Sequence, residues 1–415
     1  WDPVENATLA PWLVSTALLH ATAVQQRRHM WRAWCLLLNV LCFVLILLAA
    51  FVARSGAVRS MHAYGASSAG IALLAAGGLA LLAGVSLILR RASSLRSEAT
   101  VETVASREGL LLLVNLLLVG LAVAVLLGTL FPPITQSLTG TPVTLARSYY
   151  EHLTRPLGIA LLCLMILAPA AGWCRAGLLK WPAWPAAALA GLAAVMGTAL
   201  LLRVGNVSLA ILFGLLAAGI VSHPAELIRR ARARRHLLSE SWRAAFMYAV
   251  RHQGGLVHVA ALLMVLGMAG GMLKMEASAT LERHQSLSLG PYQLRLVDLA
   301  MEALPGLDRH IATVDVSRGT GHIATLRPEY AVHTASPQPV ARAALHSSLR
   351  EDLHLAVTGV SSDGNALSVR AAVNPLMLWL WLGGALMLLA AMATLWPAGE
   401  QRITVAKPAL KEGAA

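Results

Sequence analysis

Charge is what this sequence has least of. Only 13% of its 415 residues are Asp, Glu, Lys or Arg, against 57% that are hydrophobic, far from the balance of a soluble globular chain. Cysteine is scarce too, and Cys35, Cys42, Cys163 and Cys174 all lie in or at the ends of apolar runs. With no CxxC pair among them they read as buried, inert thiols, not as a disulfide framework. The lack of any CxxCH excludes covalently attached c-type haem on this chain. A zinc motif, a phosphate-binding glycine loop, a Ser/His/Asp signature and internal repeats are missing as well. No signal peptide is visible, and the chain opens on Trp1, inside what reads as a motif, so an upstream portion is expected.

Long apolar runs are what the sequence does have. Several reach the length of about 20 residues that crosses a bilayer. Nine spans are expected at roughly 7–24, 33–53, 70–89, 109–130, 155–172, 182–202, 206–222, 254–273 and 374–396. The polar break Arg203–Asn206 is the weakest division, and 182–222 also fits one span with a re-entrant piece. The net charge of +13 takes its meaning from where the basic residues lie. With Trp1 outside, the segments 25–32, 90–108, 173–181, 223–253 and 397–415 face the cytoplasm and hold 19 Lys/Arg, while the short outer connections hold 5. That asymmetry obeys the positive-inside rule. The cluster Arg229, Arg230, Arg232, Arg234 and Arg235 is therefore a topology signal and not a nucleic-acid patch. Trp31, Trp34, Trp173, Trp181 and Trp184 fall near the expected membrane borders, where indole anchors are common.

Residues 275–373 change character: apolar and polar residues alternate, with turn signals between them. Gly319–Gly321 and Asp363–Gly364 fit hairpin turns, and Gln338–Leu349 fits a short helix. The fold class is thus an all-α polytopic membrane protein of about nine transmembrane helices, with a small β-rich extracytoplasmic domain before the last helix. Glycines such as Gly77, Gly78, Gly267, Gly270 and Gly271 read as close helix contacts.

Ionisable residues inside a span are costly and point to function. His20 lies about five residues before the inner end of the first span, and His258 about five after the inner start of the eighth. At 1.5 Å per residue both sit roughly 7 Å into the apolar layer from the same face. Two antiparallel helices with histidines at matched depth suit a bis-histidine haem; two unrelated core histidines bonded to neighbouring helices would look the same. His62 follows the second span on the outer side, with Arg54 and Arg59, at the membrane face that also carries Trp1, Asp2 and Trp12. An aromatic shelf, an axial histidine and arginines able to pair with propionates would make a second, outward-facing haem site. The histidines at 223, 236 and 252, and those at 284, 310, 322, 333, 346 and 354, show no ligand spacing.

The segments WDPVENATLAPWL, STALLHATAV, LLAAFVARSGAVRSMHAYG, SREGLLLLVNLLLVGLAVAVLLGTLFP, GGLVHVAALLMVLG, TLRPEYAVHTASPQPVARAALHSSLREDLHLAV and NPLMLWLWLGGALMLLA together resemble CcmF, the haem lyase family of bacterial cytochrome c maturation, whose tryptophan-rich WWD domain handles haem. The resemblance covers nearly the whole chain, and its first block is highly specific. It implies 1–69 as the C-terminal part of the WWD region with two spans, 70–273 as a helical bundle, 274–373 as a periplasmic β-rich domain, 374–396 as the last span and 397–415 as a cytoplasmic tail. It makes His20 and His258 the axial ligands of a transmembrane haem b. His62 becomes one of two axial ligands of a second, transient haem, with the partner histidine expected upstream. His62, Trp1 and Asp2 are then the catalytic candidates, and Trp12 and Arg54 join them in holding haem. Glu5, Asn6 and Ser55 are expected to support them.

The activity implied is ligation of haem to the CxxCH thiols of apocytochrome c in the bacterial inner membrane, with the WWD site and the β-domain facing the periplasm. Haem would come from a periplasmic haem chaperone, a thiol-handling subunit would present apocytochrome, and quinol would reduce the haem b. Membrane lipid is the remaining partner, and nucleic acid is not one. A paralogue dedicated to a nitrite-reductase cytochrome fits equally. A quinol-oxidising membrane cytochrome b would leave the WDPVEN block and His62 without a role, and a haem or solute transporter would call for broken helices or midplane charges that are scarce here.

Overall fold

The computed structural model describes residues 1–64, 67–174, 184–202, 207–333, 336–361 and 364–395. Its elements run, in chain order, α1 (Pro3–Arg28), α2 (Arg32–Arg54), α3 (Ser68–Arg90), α4 (Arg107–Thr139), α5 (Arg147–Ala170), α6 (Trp184–Leu202), α7 (Val207–Leu238), α8 (Trp242–Gln253) and α9 (Gly255–Gly270). Ten strands follow, from β1 (Met275–Glu282) to β10 (Ala366–Pro375), and then α10 (Met377–Leu395). Among the described residues, eight helices are long and apolar enough to cross a membrane: α1 to α5, α7, α9 with its following turn, and α10. The span expected at 182–202 corresponds to α6, whose described apolar stretch is Ala188–Gly197. The break at 203–206, Trp181 and the tail 397–415 lie outside the described residues. The chain divides into two compact units, Trp1–Glu226 and Leu227–Ala415.

In the first unit α1 packs against α2 and α4, α2 against α3, and α4 against α5. Its start is written in the sequence. Asp2 caps the helix, Pro3 takes the first helical position, Glu5 lies in the first turn and Arg27 and Arg28 in the last, each suiting the helix dipole or an orphan backbone group. Ala7, Ala10, Val14, Ala17, Ala21 and Val24 form its buried stripe, spaced alternately three and four apart, and their small side chains let neighbouring helices approach. α4 buries Glu108, Asn115, Ala122 and Thr129 at a seven-residue repeat. Two of these polar groups are met inside the bundle: Trp34 Nε1 donates to Asn115 Oδ1 at 3.1 Å, and Thr129 donates to the Val125 carbonyl at 2.8 Å. Trp34, half-buried in the first turn of α2, thus turns its indole N–H to α4. α5 begins earlier than its apolar run because Arg147, Glu151 and Arg155 form i,i+4 ion pairs of 2.5 and 2.7 Å that carry the helix into polar sequence. The four cysteines are half-buried, less enclosed than the buried thiols their apolar runs suggest.

In the second unit the strands form two antiparallel sheets, one ordered β1-β10-β9-β8 and the other β2-β3-β4-β6-β7, with β5 (Gly321–Leu326) beside β4 (Leu307–Arg318). Alternation decides their faces: Tyr292, Leu294 and Leu296 of β3 (Tyr292–Leu304) and Leu353, Leu355 and Val357 of β9 (Glu351–Val360) point into one core. A register shift between Leu296 and Asp298 changes the phase, so that Leu299 returns to that core. Gly319, with φ +59°, makes the β4–β5 turn. Gly364, with φ +71°, lies between β9 and β10, while Asp363 falls outside the described residues. The helix expected at 338–349 is absent. That stretch forms β7 (Ser336–Arg342) and β8 (Ala344–Ser347), paired with β6 (Glu329–His333) and β9, because strand partners override the helix preference of an alanine-rich tract.

α10 leaves the sandwich and packs along α9. A Cβ on Gly267 would stand 2.5 Å from the Leu380 amide nitrogen, one on Gly383 2.7 Å from the Ala260 carbonyl, and one on Gly270 would collide with the Pro375 carbonyl. Gly77 makes only ordinary contact with Leu47 at 3.7 Å, and Gly78 and Gly271 face open space, so these three are not close-approach glycines. Trp379 Nε1 donates to the Leu349 carbonyl at 3.0 Å, fastening α10 to the sandwich.

Candidate functional site

The first site grows from the N-terminus of α1. The Asp2 carboxylate accepts from the Val4 amide at 2.9 Å and the Glu5 amide at 3.3 Å. It also accepts the Ser60 hydroxyl, 2.8 and 2.6 Å from its two oxygens. Ser60 Oγ in turn accepts the His62 amide at 2.9 Å. One chain of hydrogen bonds thus ties the loop after α2 to the first turn of α1. His62 Nδ1 comes to 3.5 Å from Asp2 Oδ1 and 3.9 Å from Glu5 Oε1, with the ring half-exposed. Partial burial pushes the Asp2 carboxyl up, but the Ser60 hydroxyl, the Glu5 and Val4 amides and His62 together hold it below its ordinary value of 3.8. An ionised carboxylate beside Nδ1 orients the imidazole, directs Nε2 away and raises its basicity as a ligand.

Trp1 stacks on Tyr150, ring centroids 4.8 Å apart and 15° between planes, and Tyr149 meets Tyr150 edge-on at 5.2 Å. Gly128 makes room for the pair, since a Cβ there would lie 2.7 Å from the Tyr149 ring and 2.8 Å from that of Tyr150. Trp12 is exposed and lies two turns beyond Glu5 on the same face of α1, so it is no part of the Trp1 stack. Arg54 sits over the Tyr64 ring at 5.3 Å. The structure therefore brings Asp2, Glu5 and His62 together, sets Trp1 on Tyr150 and Arg54 over Tyr64, and leaves Trp12 exposed two turns along α1.

His20 lies about two turns before the end of α1. Its Nδ1 is 2.8 Å from the Thr16 carbonyl, a contact that makes Nδ1 the donor and leaves the lone pair on Nε2. That is the arrangement of a metal-ligating histidine. His258 is on the first turn of α9 and belongs to the other compact unit. Among the described residues no three His, Cys, Asp or Glu side chains gather as a bare-cation site. Single histidines suit iron that carries four porphyrin nitrogens of its own.

Near the far end of α1, buried Glu108 accepts the Cys174 amide at 2.9 Å and lies 3.8 Å from Arg28 Nε. Arg27 and Arg107 flank Trp173 at 5.9 and 5.4 Å. Residues counted in the sequence as topology signals thus also clamp α1, α4 and the end of α5.

Sequence reasoning missed Ser60 and Tyr150. The first left a signal, a serine two residues before the histidine, where a hydroxyl commonly binds backbone. The second left none.

A family model described as cytochrome C assembly protein matches residues 1–58, and one described as CcmF C-terminal beta-sandwich matches 272–375. The cytochrome c-type biogenesis protein CcmF of Pseudomonas aeruginosa is 31% identical over 404 residues, covering 93% of this chain and 58% of that protein. CycK of Bradyrhizobium diazoefficiens, also a cytochrome c-type biogenesis protein, is 30% identical over 412 residues, 98% of this chain and 62% of its own length. A solved structure titled cytochrome c heme lyase CcmF superposes with a TM-score of 0.75 at 26% identity, covering 96% of this chain and 60% of the other. The chain belongs to the CcmF family. It spans about 60% of the length of the CcmF proteins it matches. The β-sandwich before the last helix is the CcmF C-terminal domain, and the helical remainder is a multi-span membrane region.

Proposed function

We propose that this chain is the part of an inner-membrane haem lyase that holds haem for attachment to apocytochrome c. The observation that carries the reading is the Asp2–Ser60–His62 arrangement. It presents an oriented, half-exposed imidazole beside a capped helix end whose neighbouring residue, Trp1, stacks on Tyr150. Haem is here the substrate, received from a haem chaperone on the periplasmic side. Each cysteine S–H of a CxxCH motif adds across one haem vinyl group, forming a C–S bond while the proton goes to the other vinyl carbon. The chain therefore supplies position and electrostatics and no reactive carbon. His62 Nε2 holds the iron, Asp2 orients the ring, and Trp1 offers a flat apolar contact backed by Tyr150. A resident haem b, ligated by His20 and His258, would supply electrons that keep the substrate iron ferrous, with quinol as their source. His20, its Nδ1 committed to Thr16, is fitted to that role.

The experiment has two arms. Purified His20→Ala and His258→Ala proteins should lose the b-type absorption bands; unchanged haem content in both would remove the resident haem. His62→Ala should abolish cytochrome c assembly in cells, and Asp2→Asn should weaken haem retention about 10- to 100-fold. Normal assembly with His62→Ala would sink the outer site.

A further inference from the structure

The basic half of α7 and the short helix α8 form a site that haem chemistry does not use. From Val207 to Ile228, about 33 Å at 1.5 Å per residue, α7 carries one carboxylate, Glu226, and no Lys or Arg, and its arginines begin at the next residue. Arg232 and Arg235 follow about 6 and 10 Å past Ile228 along α7, where long side chains reach back to the headgroup layer.

The five arginines are not equivalent. Arg234 makes a two-pronged bond to Glu240, with Nε and Nη2 at 3.0 and 2.8 Å from its two oxygens, and its guanidinium lies 3.6 Å from the centre of the Tyr248 ring. The Glu240 charge is thereby neutralised within the protein. Among the described residues Arg232 and Arg235 have no carboxylate partner. Three residues apart, they share one helix face, where like charges repel. That face opens on a cleft of about 580 Å³ lined by Arg232, Arg235, His236, Ser239, Glu240 and Trp242. Trp242, 41% exposed and stacked on Phe246, adds an indole of the kind that sits at a membrane border. The helix α8 that carries it has 12 residues, too few to cross a bilayer.

We propose that this cleft binds the phosphodiester headgroup of an acidic glycerophospholipid. Two unpaired guanidinium groups at headgroup depth offer bidentate hydrogen bonds to phosphate oxygens. With Glu240 already engaged by Arg234, the cleft has no free carboxylate to receive the ammonium of a zwitterionic lipid. The charge complementarity therefore selects net-negative headgroups. The proposal is independent of the haem reading.

The test is native mass spectrometry of the chain in detergent micelles doped with phosphatidylglycerol or phosphatidylcholine. Wild-type protein should retain phosphatidylglycerol preferentially. Retention should fall about fivefold for each of Arg232→Gln and Arg235→Gln, and less in the paired lysine variants, which keep the charge but lose the two-pronged hydrogen bond. Arg230, on the opposite face of α7, is the control, and Arg230→Gln should retain lipid as wild type does. Equal retention of the two lipids overturns the proposal, as does a glutamine variant that binds normally or an Arg230→Gln loss as large as the others. Displacement of the lipid by inorganic phosphate or a short single-stranded RNA, at concentrations matching the lipid, would make this a soluble-anion or nucleic-acid site and overturn it too. Matching thermal unfolding midpoints establish that each variant is folded.

Discussion

In the α9–α10 pair the decisive positions are those with no side chain; in the β-sandwich next to it they are those with the largest. Gly267, Gly270 and Gly383 let two backbones touch, while Leu294, Leu296, Leu353, Leu355 and Leu367 are at most 1% exposed in the sandwich core. The difference is one of solvent. Lipid tails are as apolar as leucine, so membrane helices gain little from burying large side chains and associate through close van der Waals contact. The sandwich faces water on its outer surfaces, and its stability comes from apolar area removed from that water. Adding a methyl group breaks the first region; removing three carbons breaks the second.

Three substitutions sharpen or break this contrast. Gly270→Val has the largest expected effect, because its Cβ meets the Pro375 backbone carbonyl, which cannot rotate away. A cost above about 4 kcal/mol is expected, read as loss of monodisperse protein on detergent extraction. Wild-type yield and unfolding midpoint would mean that close approach does not hold the pair. Leu296→Ala comes next, at about 3 kcal/mol, seen in the full chain as faster hydrogen exchange of β3 and β10 amides; unchanged protection there would show that the sandwich draws its stability elsewhere. Gly384→Ala is the smallest. It adds a methyl group one residue from Gly383, but into open space, so the outcome should lie between no change and a gain of about 1 kcal/mol from helix propensity. A loss comparable to that of Gly270→Val would make glycine content, and not contact geometry, the operative variable.

The site was legible in the same uneven way. His20 stands out in the sequence because an ionisable group is rare inside an apolar span, and His62 and Asp2 because the charged and aromatic residues expected at their membrane face keep them company. Ser60 and Tyr150 do not. Tyr150 lies far along the chain from Trp1, and only the packing of α4 and α5 brings it back beneath that ring. Arg54 and Trp12 share the expected membrane face, and only the structure shows that Arg54 lies over Tyr64 while Trp12 is exposed two turns along α1. The alanine-rich tract near 338–349 misleads in sequence, because local helix preference gives way to strand pairing with β6 and β9.

What the sequence by itself determined is the membrane class, most of the long apolar helices, and a β-rich domain before the last of them. These follow from local periodicity and hydropathy, which need no distant partner. The tertiary structure decided which glycines are indispensable, that Ser60 links Asp2 to His62, that Tyr150 backs Trp1, and that Arg234 is spent on Glu240 while Arg232 and Arg235 are not. Each depends on where a second segment arrives in space, and side-chain chemistry read along one segment carries no information about that arrival.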